Sequence, residues 1–262
     1  MTYDVLTRAH RAKRRRLVRT VLLIAVAVAL IIAGFLIAAN PSPHDDRSPD
    51  LAGPSVPAGD ATPSSTASGG PADPGSAAAL PADMTWNQIA GVSIPVSAQA
   101  GPHKTGNGLA RGFTHDRAGA VLAAVNLVVR VTPQVGPAVF DATLRAQVVG
   151  PDAAALREQV DQQYQQLCAT AGVAPGPPVG RLSAALRGYR IDLYSDTNVL
   201  LRVMTEADRP GAAPLYAAAV VQLAWTGDDW ALVAPAGGAW DQSITEVASE
   251  NVGTYNPFTT GR

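Results

Sequence analysis

Histidine, cysteine and paired carboxylates build most catalytic and metal centres, and this sequence rarely sets them near one another. Its 262 residues include four histidines and one cysteine. His10 and His44 fall in the N-terminal segments. His103 and His115 stand 12 residues apart, with no cysteine or carboxylate pair beside them to complete a zinc ligand set. Cys168 lies in an amphipathic helical stretch, where a free thiol behaves as a small apolar group. As a nucleophile it would need a placed histidine, and none is adjacent. A single cysteine also excludes an intramolecular disulfide. Gly106-Asn107-Gly108 followed by Gly112 has the glycine density of a phosphate-binding loop, but the last spacing is wrong and no βαβ unit surrounds it. Asp228 and Asp229 read as turn residues. Asp192 with Tyr189 or Tyr194 could be made to fit a proton-transfer pair, yet a solvated strand face explains the same alternation. The reading is therefore of a non-enzyme, with no assigned catalytic, cofactor-binding or metal-ligating residue.

The elements around these residues divide into an N-terminal membrane portion and an outer domain. Residues 1–19 form a basic tail, with Arg11, Lys13, Arg14, Arg15, Arg16 and Arg19 as its topology-determining charges. Residues 20–39 are expected to form a transmembrane helix. Within them Val21–Ala39 is an uncharged apolar run of 19 residues. As a helix it would span roughly 28 Å, close to the hydrocarbon thickness of a bilayer. The run is longer than the apolar region of a cleaved signal peptide, and Ile37-Ala38-Ala39 is a poor cleavage site. The positive-inside rule places the N-terminus in the cytoplasm and the rest outside, at the cell membrane. Beyond Asn40 the chain carries 13 basic and 20 acidic residues, which argues against a nucleic-acid-binding outer surface. Residues 40–83, rich in Pro, Ser, Ala, Gly and Asp, should be a disordered tether spanning about 35–40 Å as a flexible coil.

Residues 84–262 should form one extracytoplasmic α+β domain. A short strand is expected around Val92–Val96. Helices are expected from about His115 to Val129, with Thr114 as N-cap, then near Ala138–Val148, and from Pro151-Asp152 onward. After Gly180 the apolar period shortens towards two, and four segments read as strands: LSAALRGYRIDLYS, NVLLRVMTEA, PLYAAAVVQLAWT and DWALVAPAGG. Thr226-Gly227-Asp228-Asp229 should turn the last two into a hairpin. Helices followed by strands predict a curved antiparallel sheet of three to four strands. A weak helix is expected around Gln242–Ser249. The four tryptophans read as core residues, except that Trp240 lies past the last strand and could serve an interface.

The closing hairpin VVQLAWTGDDWALV and the element order resemble the nuclear-transport-factor-2-like (cystatin-like) fold. The segments from Trp86 through GVSIPVS, and from Gly112 to Ala124 (GF-x-H-D-x-x-GAVLAA), resemble actinobacterial single-pass membrane proteins of conjugative and integrative elements. That resemblance implies a part in a type IV-secretion-like transfer apparatus and carries over no catalytic residues. The expected function is a membrane-anchored scaffold that self-associates or docks other membrane-complex subunits. A tethered module binding a cell-envelope lipid or wall fragment is the alternative, and an enzyme of the same fold stands third.

Overall fold

The computed structural model describes residues 79–209 and 211–258. The basic tail, the Val21–Ala39 run and most of the tether lie outside them. Among the described residues no helix is long and apolar enough to cross a membrane.

Two small hairpins open the domain. Strands β1 (Thr85–Ile89) and β2 (Val92–Val96) are joined by Ala90-Gly91. Strands β3 (Lys104–Gly106) and β4 (Leu109–Arg111) are joined by Asn107-Gly108. Both turns place positive φ at both central residues, 49° and 90° in the first and 49° and 79° in the second. That is the requirement of the two-residue type I′ turn, and Asn-Gly is its strongest sequence signature. Of the glycines read as a phosphate-loop candidate, Gly106 and Gly108 therefore make a hairpin, and Gly112 follows it.

Helix α1 (Arg117–Arg130) starts two residues later than the sequence suggests, because Asp116 and not Thr114 is its cap. The Asp116 Oδ1 atom accepts from the Gly119 N–H at 2.8 Å and from the Thr114 hydroxyl at 2.9 Å. Every residue from Gly119 to Leu127 is buried, so α1 is a central helix and not a surface one. Its small residues let it pack against β2, the sheet and the next helix. Helix α2 (Pro137–Ala146) begins with proline in the first turn. Helix α3 (Ala153–Ala171) buries Leu156, Val160, Tyr164 and Cys168 on one stripe and ends at the left-handed Gly172.

The main sheet corrects the expectation of three or four antiparallel strands. It has seven strands and is mixed. Strands β6 (Ala185–Tyr194), β7 (Asn198–Ala207), β8 (Leu215–Trp225) and β9 (Trp230–Val233) form the antiparallel centre anticipated from the alternating segments. Three very short strands enlarge it. β5 (Val148–Val149) pairs parallel to β9, β10 (Ile244–Glu246) pairs with β8, and β11 (Asn256–Pro257) pairs with β6. Strands of two or three residues display no readable period. The parallel pair arises because α3 and the long β6–β8 stretch intervene between β5 and β9. The weak helix expected around Gln242–Ser249 is replaced by a 3₁₀ turn and β10.

The inner face of the sheet, with Val199, Leu201, Val221 and Leu223 at 0% exposure, packs on α1. Burying each such side chain contributes about 1.5–3 kcal/mol before entropy is counted. The C-terminal segment crosses the outer face, where Val247 and Tyr255 cover Met204 and Ala218.

Candidate functional site

Two register shifts in β6 decide where its charged residues point. Between Leu186 and Gly188, and again between Ile191 and Leu193, β6 advances two residues while β7 advances one. Arg187 and Asp192 are thus bulge residues, and each bulge exchanges the faces of the side chains beyond it. Tyr189 and Ile191 face the core, as their alternation implies. After the second bulge Leu193 turns outward, 54% exposed, and Tyr194 pairs with Val199. The bulged Asp192 sits between two arginines that oppose each other across the strands. Its Oδ1 accepts from Arg190 Nε at 2.9 Å and its Oδ2 from Arg202 Nε at 2.6 Å. Tyr189 is buried against Phe258, and burial raises its phenol pKa. The Tyr194 ring lies under the Arg117 guanidinium, 4.9 Å from its centroid. The Asp192 carboxylate thus serves to neutralise an Arg–Arg opposition.

A second constellation surrounds the turn before β9. The Asp229 carboxylate accepts three backbone N–H groups: Gly112 at 2.8 Å, Phe113 at 3.2 Å and its neighbour Trp230 at 3.0 Å. The Trp230 indole N–H donates to the Thr114 carbonyl at 3.0 Å. These bonds join the loop leading into α1 to a turn more than a hundred residues later in the chain. His115 stacks on Trp225, with centroids 3.9 Å apart and planes at 9°, and meets the edge of Trp230. Its Nε2 contacts the Asp196 carbonyl. His115, at the start of α1, therefore ties that helix to the β6–β7 turn. His103 bonds the Ala98 carbonyl through Nε2 at 3.0 Å. Among the described residues no group of three His, Cys, Asp or Glu side chains could hold a metal ion.

These contacts shape a cleft of about 410 Å³ between the β3–β4 hairpin, the end of α2 and the β8–β9 turn. Lys104 and Arg111, direct cross-strand partners, are among its lining residues. Thr226, Asp228, Asp229, Gln147 and Trp230 line it as well. The Gln147 amide is committed to β4: it donates to the Ala110 carbonyl at 2.6 Å and accepts from the Ala110 N–H at 3.4 Å. A family profile described as "Domain of unknown function (DUF8175)" matches residues 50–253. The chain belongs to the DUF8175 family. No curated protein and no solved structure matches it. The match takes in both hairpins, the three helices of the described residues and the sheet through β10, so the cleft lies wholly within the DUF8175 region.

A second cleft of about 430 Å³ is lined by Trp86, Ser93, Leu182 and Leu186 together with Arg187, Glu206 and Asp208. The hydrogen bond and charge of Arg187 hold the Glu206 carboxyl below the usual carboxylate range. Arg130, 8% exposed, anchors the β3–β4 turn of the DUF8175 domain by donating to the Gly108 carbonyl at 2.9 Å. Desolvation lowers its pKa. Trp240, the expected interface residue, is half-buried against the edge of the core. The basic residues from Arg11 to Arg19 lie outside the described residues. Sequence reasoning missed Asp229 as an organising residue and the pairing of Lys104 with Arg111. The Asn-Gly signature held enough information to find the second.

Proposed function

We propose that this DUF8175 protein is a non-enzymatic, membrane-anchored scaffold whose outer domain docks other subunits of a conjugative, type IV secretion-like transfer apparatus. The observation that carries this reading is the commitment of three aspartates, Asp116, Asp192 and Asp229, to architecture. Asp229 is saturated by backbone donors, Asp192 by two arginines, and Asp116 by a helix N-terminus and a hydroxyl. A general acid or base must keep a proton-accepting atom free to meet substrate. In this domain those atoms hold loops together, as suits a rigid body that presents surfaces. The basic tail, the apolar run and the Pro/Ser/Ala tether that precede it suit a domain held at the outer face of a membrane, with its N-terminus in the cytoplasm. The resemblance to membrane proteins of conjugative elements supplies the apparatus. Deleting the gene from a transferring element should lower mating frequency about tenfold or more, with restoration by the full-length chain. Unchanged transfer would refute the role.

A further inference from the structure

We infer that the outer edge of β1 docks the same edge of a second copy of this chain, the two strands pairing antiparallel about a two-fold axis at Asn87. The hairpin register fixes which backbone groups face outward. Ile89 and Val92 flank a two-residue turn and so exchange both backbone hydrogen bonds. Asn87 with Ile94, and Thr85 with Val96, repeat that bonding along the ladder. The N–H and C=O groups of Trp86 and Gln88 therefore point away from β2. The same alternation turns the Pro95 carbonyl away from β1, and there it accepts from the Asn126 amide at 3.2 Å. Among the described residues β2 is the only strand that pairs with β1. Thr85, Asn87 and Gln88 are exposed.

An open strand edge recruits other strands, and proteins blunt such edges with short strands, charges, proline or bulges. The other edges of the described domain are blunted in these ways. β5 and β11 have two residues each, and β11 ends in Pro257. β10 ends in Glu246, β3 begins with Lys104 and β4 ends in Arg111. β6 bulges at Arg187 and Asp192. On the outer side of β2, Pro95 has no N–H and its carbonyl is already taken by Asn126. β1 is different: its five residues, Thr-Trp-Asn-Gln-Ile, carry no charge and no proline, and its register has no bulge.

A second copy is the complement of this edge. With Asn87 on the axis, Trp86 of each copy opposes Gln88 of the other, so the outward groups of both residues exchange hydrogen bonds. The whole strand, residues 85–89, then overlaps. Moving the axis to Trp86 or Gln88 would pair only residues 85–87 or 87–89, and placing it between residues would set outward groups against inward ones. No like charges meet in the self-pairing, because β1 has none. The pairing rests on the edge alone and is tested apart from the transfer role.

The purified full-length chain in mild detergent tests the assignment by sedimentation equilibrium. A reversible dimer is expected, with a dissociation constant on the order of 10 µM for so small an interface. Gln88→Pro removes an outward N–H that β2 does not use, and should weaken the dimer about tenfold or more. Gln88→Ala keeps that N–H and should dimerise as the unaltered chain does. Disulfide trapping gives a second readout. The two copies of residue 87 would form a non-hydrogen-bonded pair with Cα atoms about 4.5 Å apart, within disulfide reach. With Cys168→Ser as background, Asn87→Cys should therefore oxidise to a covalent dimer, and the exposed Asn251→Cys should not. A chain that stays monomeric at about ten times the expected dissociation constant would overturn the inference. So would an unchanged dimer in a folded Gln88→Pro, or equal trapping at positions 87 and 251. The trapping comparison keeps every backbone N–H of β1, so it stands even where the proline variant does not fold.

Discussion

Asp229 shows how one side chain can organise distant chain segments. Its carboxylate replaces water for three backbone N–H groups, two of them in the loop before α1. Asp229→Ala would leave those donors without an acceptor in a partly buried site. The expected loss is about 3 kcal/mol, read as a lower urea midpoint at unchanged slope. Glu206 makes a prediction about pH. Arg187 lowers its pKa in the folded state, first through their hydrogen bond. The associated stability is therefore fully present above the unfolded pKa of about 4.3 and is lost as pH falls through the lower, folded value. Glu206→Gln should flatten the acid limb of a thermal-stability profile in that window and leave the neutral region's slope unchanged. Leu193 illustrates the opposite outcome. Strict alternation with Tyr189 and Ile191 would put it on the core face, and one bulge residue moves it into solvent.

Among the elements, α1 was legible because capping residues and a long apolar stretch act locally. Its close packing was legible only in part. Gly119 sits inside the first turn, where alanine would ordinarily stabilise a helix by roughly 1 kcal/mol. A Cβ there would lie 2.1 Å from the Thr114 carbonyl oxygen and 2.6 Å from its hydroxyl. Gly119→Ala should therefore destabilise the protein, by about 2 kcal/mol or more, and the sign of the shift in melting temperature checks it. The four long strands were visible because each runs at least four residues with an alternating or uniformly apolar face. The three short strands were not, since their pairing is set by what α1, α2 and the C-terminal segment bring alongside. Val247 is an example. Its place over Met204 and Ala218 makes residues 244–246 a strand, although the local sequence also suits a helix.

Over the full length of the chain, the division of charge across the apolar run carries its own prediction. With Cys168→Ser as background, Ser65→Cys should react with a membrane-impermeant maleimide on intact cells. Labelling only after the membrane is ruptured would reverse the proposed topology. Cys168 itself is 2% exposed and should contribute little to the signal in any case.

Residue order alone located the four central strands and the three helices, together with the expectation of an anchored outer domain. Hydropathy, capping and alternation are properties of neighbouring residues, so no fold is needed to read them. The mixed seven-stranded sheet, the bulges that place Arg187 and Asp192, and the cleft emerged only from the packed chain. In the cleft, residues 104–112 meet residues 226–231 because an Asp229 carboxylate satisfies backbone groups from the far side of the chain. A hydrogen bond across more than a hundred residues leaves no local pattern, and it is that bond which brings two cations and two carboxylates into one cleft.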